Sequence, residues 1–118
     1  MKTPLERDVL SACLKLLTLR RVPHWRQSVG QFTVGGRTIR AAVLGCSDII
    51  GLLPPDGRFL AIECKQPGTR PTAAQNAFLA AVEAAGGVAL VVTDVRQLAN
   101  MLDGLVRGVE QPSRNDQT

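Results

Sequence analysis

"GCSDIIGLLPPDGRFLAIECK", residues 45 to 65, decides how this chain is read. Two apolar runs, "IIGLL" and "FLAIEC", flank Pro54-Pro55-Asp56-Gly57. That composition is turn chemistry, since proline fixes φ at a corner and glycine accepts positive φ without strain. An antiparallel hairpin follows, and antiparallel pairing sets the start of one strand beside the end of the other. Asp48 stands at that start, and Glu63 with Lys65 at that end. Side chains alternate along a strand, so Glu63 and Lys65 share one face while Cys64 points to the other, into the core.

Working outward toward the N-terminus, "TPLERDVLSACLKLLTLRR" repeats its apolar residues at helical spacing and predicts a helix from about residue 4 to 21, with Thr3 as cap and Pro4 in the first turn. "HWRQSVGQFTVGGRTIR" alternates short β-type segments with Gly30 and Gly35-Gly36, the turn chemistry of another hairpin. Toward the C-terminus, Thr72 stands three residues before Gln75, as in a capping box, and Gly86-Gly87 supplies a stop, so a second helix is predicted over about 72 to 85. "VALVVT" is a continuous apolar run with four β-branched residues and predicts a buried strand flanked by helices on both sides of the sheet. "DVRQLANMLDGLVRG" is a third amphipathic helix with Asp94 near its start. One domain is expected over 1–108, followed by a flexible polar tail, 109–118.

Bulk properties narrow the function classes. The 118 residues, 45% hydrophobic, suffice for a single core. A net charge of +4 and a pI near 9.5 favour a polyanionic partner such as nucleic acid. Three cysteines without a CxxC pair, beside a single histidine, fit neither a zinc centre nor a disulfide framework. Reduced, mostly buried thiols are expected, and His24, between Pro23 and Trp25, has no sign of an activated cysteine nearby. No apolar stretch approaches the roughly 20 residues of a membrane span, and "MKTPLERDVL" carries acids where a signal peptide is apolar, so a cytoplasmic protein with no membrane partner is expected.

The charged strand end has two readings. As an isolated E-x-K, Glu63 and Lys65 form a solvated ion pair and Asp48 caps a turn, with little consequence for stability. As a constellation, two carboxylates converging at one end of a hairpin suit a hard divalent cation, because Mg²⁺ prefers carboxylate oxygen, keeps several waters and shares its shell with substrate phosphates. Lys65 then holds the attacking water or a phosphate oxygen, or transfers a proton. Trp25 and Arg26, with Arg37 and Arg40, are candidates to contact phosphates or stack on exposed bases, and Arg70, just before the second helix, is a further phosphate candidate. Glu6 lies in a helix's first turn, where the dipole already favours an acid.

Taken together, Glu6, "GCSDIIGLL", "FLAIECK" and "TAAQNAF" give a chain that resembles the PD-(D/E)XK nuclease superfamily, and within it the small stand-alone VRR-NUC domains of phage and bacterial proteins. The resemblance runs from the first helix through "GGVALVV". It implies an α/β (α+β) fold: a restriction-endonuclease-like mixed β-sheet flanked by helices, in the order αβββαβα. It also implies a Mg²⁺-dependent endodeoxyribonuclease, in which Mn²⁺ can substitute, with Asp48 and Glu63 as metal ligands and Lys65 as the catalytic lysine. Gln75 becomes an additional active-site residue and Glu6 an accessory acid. Ser47 stands where the superfamily's name places proline, a position that shapes backbone and supplies no ligand. Small members resemble Holliday-junction-resolving enzymes and work as homodimers on branched DNA. A nickase or flap-type nuclease, and a catalytically silent nucleic-acid-binding module, are the alternatives on the same scaffold.

Overall fold

The structure, a computed structural model, describes residues 5–27, 31–40 and 45–110, and of residues 31–34, 38–40 and 106–110 the backbone alone. Three helices, α1 (Glu6–Leu19), α2 (Ala73–Ala84) and α3 (Val95–Glu110), accompany six strands: β1 (His24–Arg26), β2 (Gln31–Val34), β3 (Arg37–Arg40), β4 (Ile49–Leu53), β5 (Arg58–Cys64) and β6 (Val88–Val92). The main sheet has the order β1-β4-β5-β6, with β5 and β6 parallel and the other neighbours antiparallel. A mixed α/β architecture with the order αβββαβα is therefore correct for this sheet. β2 and β3 pair separately as a two-stranded ribbon through the Gly35-Gly36 turn, so five strands precede α2 rather than three.

Sheet alternation builds two cores. Ile49, Leu53, Leu60, Ile62, Cys64 and Val92 face α1 and α3, meeting Val9, Cys13, Leu17, Leu98 and Leu102. Ile50 and Ala61 face α2, meeting Leu79 and Val82. Leu17, Leu60, Ile62 and Leu98 have no exposed surface, and truncating any one to alanine costs about 2–5 kcal/mol. Arg20 joins α1 to Asp103 of α3 at 2.8 Å, on a half-exposed surface where such a pair contributes little. No helix among the described residues is long and apolar enough to cross a membrane.

Several boundaries differ from expectation. α1 starts at Glu6 with Leu5 at the N-cap, not Thr3, and the Asp8 carboxylate accepts the Leu5 N–H at 3.3 Å. α3 extends to Glu110, two residues into the stretch expected as tail; 111–118 lie outside the described residues. β6 is flanked by α2 on one face and α3 on the other, as expected, but it is an edge strand among the described residues: Val92 is buried, while Val91 on the α2 side is 40% exposed.

The loop leading into β4 is wedged against α2. Gly45 has φ +77°, and a Cβ placed there would collide with the backbone carbonyl of Ala74 in the first turn of α2. Gly57, in the β4–β5 turn, has the same φ of +77° with nothing within 4 Å of a Cβ. The two glycines separate backbone strain from packing. Gly57→Ala is expected to cost about 1–2 kcal/mol in urea unfolding, the penalty of a left-handed alanine. Gly45→Ala is expected to cost a further ~1–3 kcal/mol through the overpacked contact with α2. Equal losses would show that the loop and α2 are not in tight contact.

Candidate active site

Register brings the acids together. Ile49 pairs with Ile62, so the next step outward sets Asp48 opposite Glu63, both on the α2 side of the sheet with Ile50 and Ala61. The N–H of Cys64 donates to Asp48 Oδ2 at 2.8 Å, which fixes that carboxylate across the hairpin. Glu63 is 2% exposed, the one buried carboxylate among the described residues. One of its oxygens, Oε1, accepts a hydrogen bond from Gln75 Nε2 at 3.1 Å; the other, Oε2, is buried with no partner at all. A buried, half-satisfied carboxylate is an expensive arrangement.

Gln75 has two tasks. Its Oε1 accepts the Thr72 N–H at 2.8 Å while its own N–H donates to the Thr72 hydroxyl at 3.1 Å, the reciprocal capping box expected from the sequence. The remaining amide nitrogen reaches Glu63. Helix capping therefore orients the amide that holds the acid.

Lys65 follows β5, its N–H donating to the Val92 carbonyl at 2.9 Å and its Nζ standing 3.8 Å from Glu6 Oε1 at the start of α1. The lysine side chain is 14% exposed and that of Glu6 is 55% exposed, so the ion pair forms the outer rim of the site. Electrostatics ties these groups into one cluster. Burial, then the charge of Asp48, pushes the Glu63 carboxyl up to about 8, with Lys65 opposing and the close approach of the Asp48 carboxyl and the charge of Glu6 adding to the rise. Behind the strand, Cys64 lies fully buried against Cys13 of α1, and the hydrogen bond between them, with burial, pushes the Cys64 thiol far up. All three cysteines are free.

The arginines are less convergent. Arg26 pairs with Ile49 and so lies on the α1 side of the sheet, opposite to Asp48 and Glu63. Arg37 is exposed at the start of β3, in the separate ribbon. Arg40 belongs to the same strand, and its side chain lies outside the described residues. Arg70 is exposed in the segment between Lys65 and α2. An apolar recess of about 410 Å³, lined by Phe59, Phe78 and Val82 among others, lies at the far end of β5 from Glu63 and contributes nothing to the acids.

Three contributors carried no local signal in the sequence. Gly45 positions the loop before Asp48 against α2. Ser47 is fully buried with an unpartnered hydroxyl. Gln27 extends the β1–β4 ladder by donating its N–H to the Asp48 carbonyl at 2.7 Å, which draws the edge strand up to the site. Comparison with family models, with curated proteins and with solved structures finds no match to this chain.

The arrangement fits a divalent cation on one specific ground: the orphaned Glu63 Oε2 is a buried acceptor beside a second carboxylate. Among the described residues no three His, Cys, Asp or Glu side chains are grouped to hold a metal ion. Two carboxylates match the sparse protein ligation of Mg²⁺, which completes its shell with water and substrate.

The raised Glu63 carboxyl has a consequence for stability. Its protonated form is favoured in the fold relative to the unfolded chain, so its contribution is full below the ordinary value of 4.5 and is lost as pH rises through about 8. In EDTA, the urea midpoint of the wild type is expected to fall across that window, while Glu63→Gln, neutral throughout, flattens the decline. Parallel curves for the two proteins would show that Glu63 is not held protonated by its surroundings.

Proposed function

We propose that this protein is a Mg²⁺-dependent DNA endonuclease whose site is formed by Asp48, Glu63, Lys65 and Gln75, with Glu6 as an accessory acid. The observation that carries the reading is the unpartnered, fully buried oxygen of Glu63 set beside Asp48. A structural carboxylate at that position would be expected to have its second oxygen satisfied. Asp48 and Glu63 would hold the cation, which supplies charge neutralisation at a phosphodiester and acidifies water at neutral pH.

The chain's own residues provide the rest. The Cys64 amide and the Gln75 amide hold the two carboxylates in place, so their orientation is set before substrate arrives. Lys65, tethered at its backbone to β6, extends its ammonium along the rim, where it holds a phosphate oxygen or the attacking water and gives a proton to the departing oxygen. Water adds to phosphorus and loses a proton to solvent, which reprotonates Lys65, while the P–O ester bond to the departing oxygen breaks. Glu6 holds the ammonium in place across the rim. The positive net charge supports a nucleic-acid substrate in general terms. A branched substrate cut by a homodimer is the specific form we favour, since a chain of this size has little surface for a separate recognition module and reads DNA shape instead.

Labelled four-way junction, linear duplex and flap DNA, incubated with Mg²⁺ or Mn²⁺ and then with EDTA, test the reading. Wild-type protein is expected to cut the junction in either metal and not in EDTA. Asp48→Ala and Lys65→Ala are each expected to lower the rate by about 10²-fold or more, with folding intact by circular dichroism and only a modest loss of DNA binding. DNA binding without cleavage in either metal would make the protein a binding module. Cleavage confined to the flap, or a single nick, would replace the junction-resolving reading by the corresponding nuclease.

A further inference from the structure

Trp25 is the only tryptophan in the chain, and it is 47% exposed on the edge strand β1. It pairs with Ile50, which places it on the same face of the sheet as Asp48 and Glu63. From strand geometry it stands one strand over and two residues along from Asp48, on the order of 8 Å between α-carbons. Its position is braced: the indole N–H donates to Gln27 Oε1 at 3.2 Å, and the Gln27 backbone N–H donates to the Asp48 carbonyl at 2.7 Å. An exposed aromatic ring is thus tied through one residue to the backbone of a proposed metal ligand. With its N–H satisfied inside the protein, what the ring offers a ligand is its π surface and apolar edge.

Resting on the nuclease reading, we infer that Trp25 is a stacking platform for an unpaired nucleobase next to the scissile phosphate, so that the site acts on DNA with a splayed or single-stranded nucleotide there. A base inside an intact duplex is stacked on its neighbours and has no free face to give; a base at a junction, fork or single strand does. Stacking is tolerant of sequence, which suits a small chain that recognises structure rather than base identity. Leu52 and Phe59 are also exposed on this face, at 39% and 40%, so a second copy of the chain is the competing occupant of the ring.

Because the tryptophan is unique, its fluorescence reports this contact without ambiguity. Full-length protein in EDTA is titrated with a single-stranded thymidine oligonucleotide and with blunt duplex of the same length, and binding is followed in parallel by anisotropy of end-labelled DNA. Saturable quenching by the single strand, with little by the duplex, is expected. Trp25→Ala is expected to weaken single-strand binding about tenfold, to spare duplex binding, and to slow junction cleavage; Trp25→Phe, which keeps a ring, retains most of the affinity. Binding of the single strand without quenching, or unchanged affinity in a folded Trp25→Ala protein, overturns the inference even where junction DNA is cut. Emission that shifts with protein concentration rather than with DNA, together with dissociation of a dimer by Trp25→Ala in sedimentation, also overturns it and places the ring in a subunit interface. Absence of both binding and cleavage for every DNA and both metals defeats the nuclease reading as well.

Discussion

A carboxylate buried at the end of a β-strand is the constraint on which the rest of this structure turns. Removing Glu63 from water opposes its ionisation, and the neighbouring acid Asp48 opposes it further. One hydrogen bond from Gln75 answers for one oxygen, and nothing answers for the other. Apolar side chains fill the rest of β5 from Leu60 to Cys64, so an acid in this row is a local inconsistency in an otherwise well-packed strand. Such inconsistencies concentrate where a protein does chemistry.

The surrounding fold makes sense as the means of holding that inconsistency in place. The β4–β5 hairpin puts Asp48 opposite Glu63, and the Cys64 amide locks the first acid across the second strand. Helix α2 closes over the same face and presents Gln75 from its first turn, an orientation guaranteed by the Thr72 capping box. The close approach of Gly45 to Ala74 then fixes the helix start relative to the loop that carries Asp48. Lys65, just past β5, and Glu6 at the start of α1 complete the rim. Five elements of low individual specificity converge because a two-faced sheet leaves them few other places to be.

Much of this was legible in the sequence because its determinants are local. The Pro54-Pro55-Asp56-Gly57 turn set the hairpin, alternation set the face of Glu63 against that of Cys64, and the spacing of Thr72 and Gln75 announced the capping box. What was not legible depends on pairings between distant segments. No pattern within "HWRQS" tells that β1 joins β4 while β2 and β3 form a ribbon of their own, and the pairing alone puts Trp25 on the side of the acids and Arg26 on the other. The apolar run "VALVV" reads as a buried strand between helices, yet among the described residues it is the edge of the sheet with Val91 half exposed, since periodicity is blind to strand order. Gly45 reads as an ordinary loop glycine until α2 is packed against it. Gln75 declares its cap from sequence, but its bond to Glu63 appears only in three dimensions.

The proposed activity requires Asp48 and Glu63 to grip one cation. Anomalous diffraction from crystals of the wild-type protein grown in saturating Mn²⁺ at neutral pH tests that grip directly. A manganese peak bonded to Glu63 Oε2 and to an Asp48 oxygen is the expected result. A well-ordered map with no peak there, and with the two carboxyl groups sharing a proton instead, would contradict it.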